Sequence, residues 1–262
     1  MRLENKVIIV TGSCTGIGKA IAERCVAEGA SVVIHGLEQY LGEEVVRQLG
    51  NEKSVLYIGD LAEENTVKKL VETALTAFGK IDAIVNNAAI VASSNIHDTD
   101  LNFFRHIFEV NTLAPFALIK EALPHLTKTS GNVLNIGSVN AYSGEPNLMA
   151  YSVTKGALMT LTRNLGDTLH RENGVRVNQI NPGWVLTERE AERKREHGLS
   201  EDWYKGVPAV FAPAGRLLKP SEIASAAVYW LGDECGPVSG QVVELEQHPF
   251  IGRNPPKDTS TI

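Results

Sequence analysis

Cysteine is nearly absent: Cys14, Cys25 and Cys235 are the only three in 262 residues, and they form no CxxC pair and no histidine-spaced set. That scarcity excludes a disulfide framework and a thiolate metal site, and it fits a reducing cytosol. No metal is expected. Long apolar runs are absent too. No stretch reaches the ~20 residues of a membrane-spanning helix. The opening MRLENKVIIVTG enters an apolar strand without the basic region and apolar core of a leader peptide, so a soluble, cytoplasmic chain with no membrane partner is expected. Positive charge is also in short supply. Lys and Arg number 25 against 31 Asp and Glu, for a net charge of −6, and the one basic-looking run, ERKREHG at 192–198, is mixed with glutamate. Phosphate backbones need clustered cations, so no nucleic-acid partner is expected. Finally, neither an internal repeat nor a Pro/Gly/Ser linker divides the chain.

What the chain does have is a core. With 43% hydrophobic and 21% charged residues it can bury a large interior. Short β-branched runs recur at 6–10, 31–35, 54–58, 81–85, 132–136, 175–180 and 241–245, with segments of helical length at 16–28, 63–78, 100–126, 149–171 and 221–231 between them. Apolar strands separated by helices specify an α/β fold: a parallel, doubly wound sheet with helices on both faces. Residues 1–246 are expected to form one domain. Two segments break its rhythm: a charged stretch at 184–218, read as a lid over a site, and the tail 247–262, read as an arm or a disordered end. Composition favours disorder only for its last residues, KDTSTI.

After the first strand comes TGSCTGIGKAIAERC, with Gly12, Gly16 and Gly18 preceding a helix whose apolar face is Ile17, Ala20, Ile21 and Cys25. Strand, glycine loop and helix in that order form a pyrophosphate site: glycine lets the anion reach the backbone, and the helix start offers N–H groups and a positive dipole end. At the end of the second strand a carboxylate would bind a ribose diol and a basic group a 2′-phosphate. Here the positions read His35, Gly36, Leu37 and Glu38, and no Arg or Lys lies among Ser13, Cys14 and Thr15. The reading favours NAD, with NADP open and His35 as the only candidate cation.

Further along, YSVTK at 151–155 opens a helical stretch with a phenol and an ammonium at i and i+4, one above the other on a single face. A cation beside a phenol favours phenolate, which would make Tyr151 a usable proton donor and acceptor. Together, TGxxxGIG at 11–18, NNAA at 86–89, Asn111, Ser138, YSVTK and NPG at 181–183 resemble the motifs of the short-chain dehydrogenase/reductase family, in its order and spacing, over roughly residues 3–245.

That resemblance implies a Rossmann-type domain, nicotinamide-dependent oxidation of a carbinol or reduction of a carbonyl, and a homo-oligomer, dimer or tetramer. It implies a catalytic set of Asn111, Ser138, Tyr151 and Lys155. Tyr151 would transfer the proton and Ser138 hold the substrate oxygen. Lys155 would acidify the phenol and bond the nicotinamide ribose, and Asn111 would hold a water leading from Lys155 to solvent. Gly12, Ser13, Thr15, Gly16, Ile17 and Gly18, with His35, Gly36 and Leu37, are expected around the dinucleotide. Asp60 and Leu61 would meet the adenine, though Asp60 also suits a helix cap; Asn87, Ala88 and Ala89 would line the adenosine side. Pro182, Gly183 and Val185 would face the carboxamide and Thr187 bond it, while Trp184 is a pocket wall or core. Ala89 departs from the family's usual glycine, and Glu244 and Glu246 stand where turn glycines are usual.

Substrate choice is expected in 90–96, 139–149 and the lid. Their Ser93, Ser94, Asn95, Asn140, Glu145 and Asn147 suit a small hydroxylated substrate, a sugar or polyol; reduction of a 3-oxoacyl chain is the alternative. A protein that senses NAD(P) without turnover is the rival from another class, and an epimerase or dehydratase that recycles its nicotinamide is a further one.

Overall fold

A computed structural model describes residues 1–251. The chain alternates strand and helix. It opens with β1 (Val7–Val10), α1 (Gly16–Ala27), β2 (Ser31–Gly36), α2 (Gln39–Leu49), β3 (Ser54–Ile58), α3 (Thr66–Phe78) and β4 (Ala83–Asn86). It continues through α4 (Leu101–Phe108), a π-helical turn (Glu109–Leu113), α5 (Ala114–Thr129), β5 (Asn132–Ile136), α6 (Asn140–Ser143) and α7 (Met149–Asn173). Then come β6 (Arg176–Pro182), α8 (Glu188–Glu196), α9 (Pro220–Leu231) and β7 (Val242–Leu245).

All seven strands pair in parallel, in the order β3-β2-β1-β4-β5-β6-β7. Every residue of β1, β4, β5 and β6 is buried, which is why β1, β4 and β5 read as unbroken apolar or small-polar runs, while β6 also carries Arg176 and Gln179. Two apolar clusters fill the two faces. Ile8, Val10, Ile21, Val32 and Ile34 pack with Val228 and Leu231 of α9 on one side. Ile9, Val33, Leu70, Ile84, Leu118 and Val177 do so on the other. The order of strands reverses between β1 and β4, and loops from both leave a crevice at their carboxyl ends, where open α/β sheets bind ligands.

The structure corrects the expected continuous helix at 100–126. It is interrupted at Glu109–Leu113 by wider π-type winding and runs on to Thr129. The interruption has a local cause: Asn111 is fully buried, its Oδ1 accepting from Ile90 N at 2.8 Å and its Nδ2 donating to Ile90 O at 3.0 Å and Thr154 Oγ1 at 3.1 Å. A bulge in a helix turns a side chain onto partners that regular winding would miss. Helix α2 lies outside the segments read as helical, and α8 folds within the stretch read as a lid.

Candidate active site

A cavity of about 1090 Å³ runs over the carboxyl ends of the strands, from the glycine loop to α8. At its first end Gly12 and Gly16 have φ of 62° and 56°, left-handed values that suit glycine. A Cβ at Gly12 would press on Ala88 Cα at 2.9 Å, and one at Gly18 would overlap Gly12 O. The loop is tied to β4: Thr11 Oγ1 accepts from Asn87 N (3.0 Å) and Ala88 N (3.1 Å), and Asn87 Nδ2 donates to the carbonyls of Thr11 and Gly12. Thr15 precedes α1 without a side-chain cap, so its first-turn N–H groups are open to an anion. These features form a cradle that fits a dinucleotide pyrophosphate.

Gly12, Thr15, Gly16, Ile17, Gly36, Leu37, Asp60, Leu61, Asn87, Ala88 and Ala89 all line the cavity. Two expected contacts are corrected. Ser13 is buried behind the loop, its hydroxyl donating to Val10 O (2.6 Å) and accepting from His35 N (3.0 Å); Gly18 packs under Gly12. Neither reaches the cavity. His35 does border it, but not as a cation. Gly12 N–H donates to its Nδ1 (3.2 Å) and its Nε2 lies 3.0 Å from Gly59 O, the pattern of one neutral tautomer. Burial pushes its pKa down to about 4, against the opposing pull of the Gly59 carbonyl and Asp60. Glu38, displaced along the loop from the position where a carboxylate is expected, lines the same end and is the carboxylate there besides Asp60. Asp60 serves a local turn as well, accepting from Ala62 N at 2.9 Å, whereas α3 starts later, at Thr66.

At the other end, Ser138 follows β5 while Tyr151 and Lys155 stand one turn apart on α7, and all three are buried. The Lys155 ammonium lies 5.6 Å from the Tyr151 ring centroid and donates to Ile136 O at 2.7 Å. The expected acidified phenol is corrected. Burial raises Tyr151 to about 12, and a side-chain hydrogen bond with Ser138 and the Arg193 charge only partly oppose it. Burial also pulls Lys155 down to about 8. The ammonium is spent on a carbonyl and the ring face rather than on the hydroxyl. Asn111, expected to hold a water, is bonded to Ile90 and Thr154 behind the wall and does not border the cavity.

Pro182, Gly183, Trp184, Val185, Thr187 and Asn140 complete the expected lining. Trp184 is a wall: its Nε1 donates to Glu190 Oε1 (3.0 Å), its ring stacks on Trp203 (5.3 Å), and Lys194 lies over it (5.2 Å). Thr187 caps α8 by accepting from Glu190 N at 3.1 Å. Helix α8 turns Arg189, Glu190, Arg193 and Lys194 to the cavity, with Arg193 and Glu190 in a two-point ion pair. Residues after β7 also contribute: Glu246 accepts from Trp184 N (3.0 Å), and Phe250 faces Tyr142 with ring centroids 6.4 Å apart. The sequence marked Glu246 as a departure from the family's turn glycines and the residues after it as an arm or disordered end, not as part of this wall. The rest of the arm, from 252 onward, lies outside the described residues. Among the described residues no group of acidic, His or Cys side chains could hold a metal, and no helix is long and apolar enough to cross a membrane.

With this geometry in place the chain can be set beside known proteins. Residues 12–246 match a family model described as enoyl-(acyl carrier protein) reductase. The chain is 36% identical over 230 residues to mouse L-fucose dehydrogenase, covering 87% of this chain and 82% of that protein. It is 34% identical to glucose 1-dehydrogenase 2 of Bacillus subtilis, covering 93% and 94%. A 3-ketoacyl-(acyl-carrier-protein) reductase from Brucella melitensis, crystallised with NADH, superposes with a TM-score of 0.82 at 29% identity, covering 93% and 97%. The protein belongs to the short-chain dehydrogenase/reductase family.

Proposed function

We propose that this protein is an oxidoreductase that moves a hydride between NAD and the carbinol or carbonyl carbon of a small hydroxylated substrate, such as a sugar or polyol. The observation that carries the reading is one cavity joining the glycine-loop cradle to Ser138, Tyr151 and Lys155. A bound nicotinamide would supply or accept the hydride. The chain's own groups handle the proton. Protonated at neutral pH, the Tyr151 phenol donates to a carbonyl oxygen as it is reduced; for oxidation it must ionise, and the Ser138 hydrogen bond and the Arg193 charge lower the cost of that anion. Ser138 also holds the substrate oxygen, and Lys155 reaches the ribose. Leu61, Val185 and Thr187 act as cofactor contacts, and Asn111 works by fixing Ile90 and Thr154.

NAD rather than NADP is supported by the cradle's chemistry: Glu38 and Asp60 line the adenosine end, His35 is neutral, and the lining there offers no Lys or Arg to a 2′-phosphate. NADPH binding tighter than NADH in a fluorescence titration would refute this. A hydroxylated substrate is supported by Asn140, Glu145, Asn147 and Glu190 around the cavity mouth and by the two sugar dehydrogenases among the relatives. We place the enzyme in the cytoplasm, where its three buried free thiols are stable, and as a dimer or tetramer.

The test is turnover of L-fucose, D-glucose and an acetoacetyl thioester, followed by reduced-nicotinamide absorbance. Tyr151→Phe is expected to lower kcat by at least about a hundredfold, with NADH affinity within about twofold. Tight NADH binding without any turnover would point to a sensor. A kcat above a tenth of wild type in the variant would remove Tyr151 from the proton transfer.

A further inference from the structure

Behind Ser138 the core contains an unbroken line of polar side chains. Asn86 Nδ2 on β4 donates to Asn135 Oδ1 on β5 (2.8 Å), and Asn135 Nδ2 donates to Thr162 Oγ1 on α7 (2.8 Å). The Thr162 hydroxyl faces Gln179 Oε1 on β6 (2.7 Å), and Gln179 Nε2 donates to Asn181 Oδ1 (2.7 Å). That same oxygen accepts the backbone N–H of Ser138 at 3.1 Å. All five side chains are buried, Asn135, Thr162, Gln179 and Asn181 completely.

The direction of the line is forced from its Ser138 end. A backbone N–H can only donate, so Asn181 must present its oxygen there; Gln179 must then turn its amide nitrogen to the same oxygen and its carbonyl to Thr162. The arrangement leaves Asn181 Nδ2 buried without a hydrogen-bond partner among the described residues, at an ordinary cost of about 1–3 kcal/mol. Flipping the amide would not remove that cost. It would set the amide nitrogen against two donors, Ser138 N–H and Gln179 Nε2. The residue before the serine records the same constraint: a Cβ at Gly137 would overlap both Asn181 Oδ1 and Gln179 Nε2. Neighbouring bonds from Gly137 N to Ile180 O (2.7 Å) and from Val139 N to Pro182 O (3.1 Å) hold the loop to β6 on either side.

We propose that Asn181, oriented by Gln179, is the positioning residue for Ser138: its carboxamide oxygen fixes the serine backbone and so aims the hydroxyl at Tyr151 and the substrate oxygen. The inference rests on the oxidoreductase reading above. A side chain aimed about 1 Å wrong can cost on the order of a hundredfold in rate, and Ser138 also helps to hold the Tyr151 phenol down.

The test is a double-mutant cycle on whichever of L-fucose, D-glucose and the acetoacetyl thioester wild type turns over fastest. Asn181→Ala is expected to lower kcat by about tenfold or more, with KM and the NADH Kd within twofold. In a Ser138→Ala background the same change is expected to cost less than twofold, because the group it aims is gone. Gln179→Met provides a second variant that keeps shape and leaves the Thr162 hydroxyl its bond to Leu158 O (2.9 Å); a loss of about threefold in kcat, again absent in the Ser138→Ala background, is expected. Equal losses in both backgrounds, or losses expressed in KM, would overturn the inference while leaving the oxidoreductase reading intact. Silence of the wild type with all three probes would remove both.

Discussion

A histidine at the end of β2 illustrates how burial decides a residue's role. His35 carries the nucleotide-facing loop as an acceptor for Gly12 N–H, and protonation of Nδ1 would abolish that bond. Its pKa is about 4 in the folded chain against an ordinary 6.5, so between those values the unfolded chain binds more protons. Its stabilising contribution is therefore complete above pH 6.5 and is lost as pH falls towards 4. The shift corresponds to at most about 3 kcal/mol. Urea unfolding of wild type and His35→Gln is expected to show a stability gap that narrows by about 1–3 kcal/mol on going from neutral to that acidic pH; a constant gap would show that the imidazole stays charged or unpaired. The sequence shows a histidine beside a nucleotide site but not its two hydrogen bonds. The same holds at Tyr151 and Lys155. Their i, i+4 spacing was legible and does bring them onto one face, yet the sign of the phenol's shift was not, because it depends on how much water the surrounding chain excludes.

Among the elements, α7 shows packing overruling helix propensity. Gly166 lies in its interior, where alanine would ordinarily gain about 1 kcal/mol. At this position a Cβ would overlap the main chain of Gly240 and press on Val177 O at 2.9 Å. Backbone cannot step aside as a side chain can, so Gly166→Ala is expected to lower unfolding free energy by about 1–3 kcal/mol, read from the urea midpoint. A gain in stability would mean that the helix and the β7 approach loop are less closely held than this. Strand positions were readable to within one or two residues because each is a short run rich in β-branched residues, fully buried in β1, β4, β5 and β6 and half-buried at the edges in β3 and β7. The break at Glu109–Leu113 was not, since weak helix formers such as Val110, Asn111 and Thr112 occur in many regular helices and the bonds to Ile90 and Thr154, distant in sequence, accompany the bulge. Helix α8 is a similar case: its charged sequence has no buried residue, and the Thr187 cap with the Trp184, Glu190 and Arg193 contacts gives it a cavity-facing side.

For the whole molecule, the exposed apolar side chains Leu113, Phe116 and Val153, each above 40% accessible, sit on the π-turn, α5 and α7. Sedimentation velocity is expected to give a dimer or tetramer, and Phe116→Glu to shift it towards monomer by placing a charge in the contact; a wild-type monomer at micromolar concentration would contradict the proposed assembly. The order of β-branched runs and helical segments was enough to determine a parallel doubly wound sheet, and the family motifs were enough to locate the catalytic candidates, because both depend on local periodicity and short-range spacing. Tertiary structure alone decided that Ser13 and Asn111 stand behind the wall, that His35 is neutral, that Glu246 and Phe250 close the far side, and that five polar side chains line up behind Ser138. Each of those outcomes turns on which distant groups meet and how little water remains between them, and neither quantity is written in the spacing of residues along a chain.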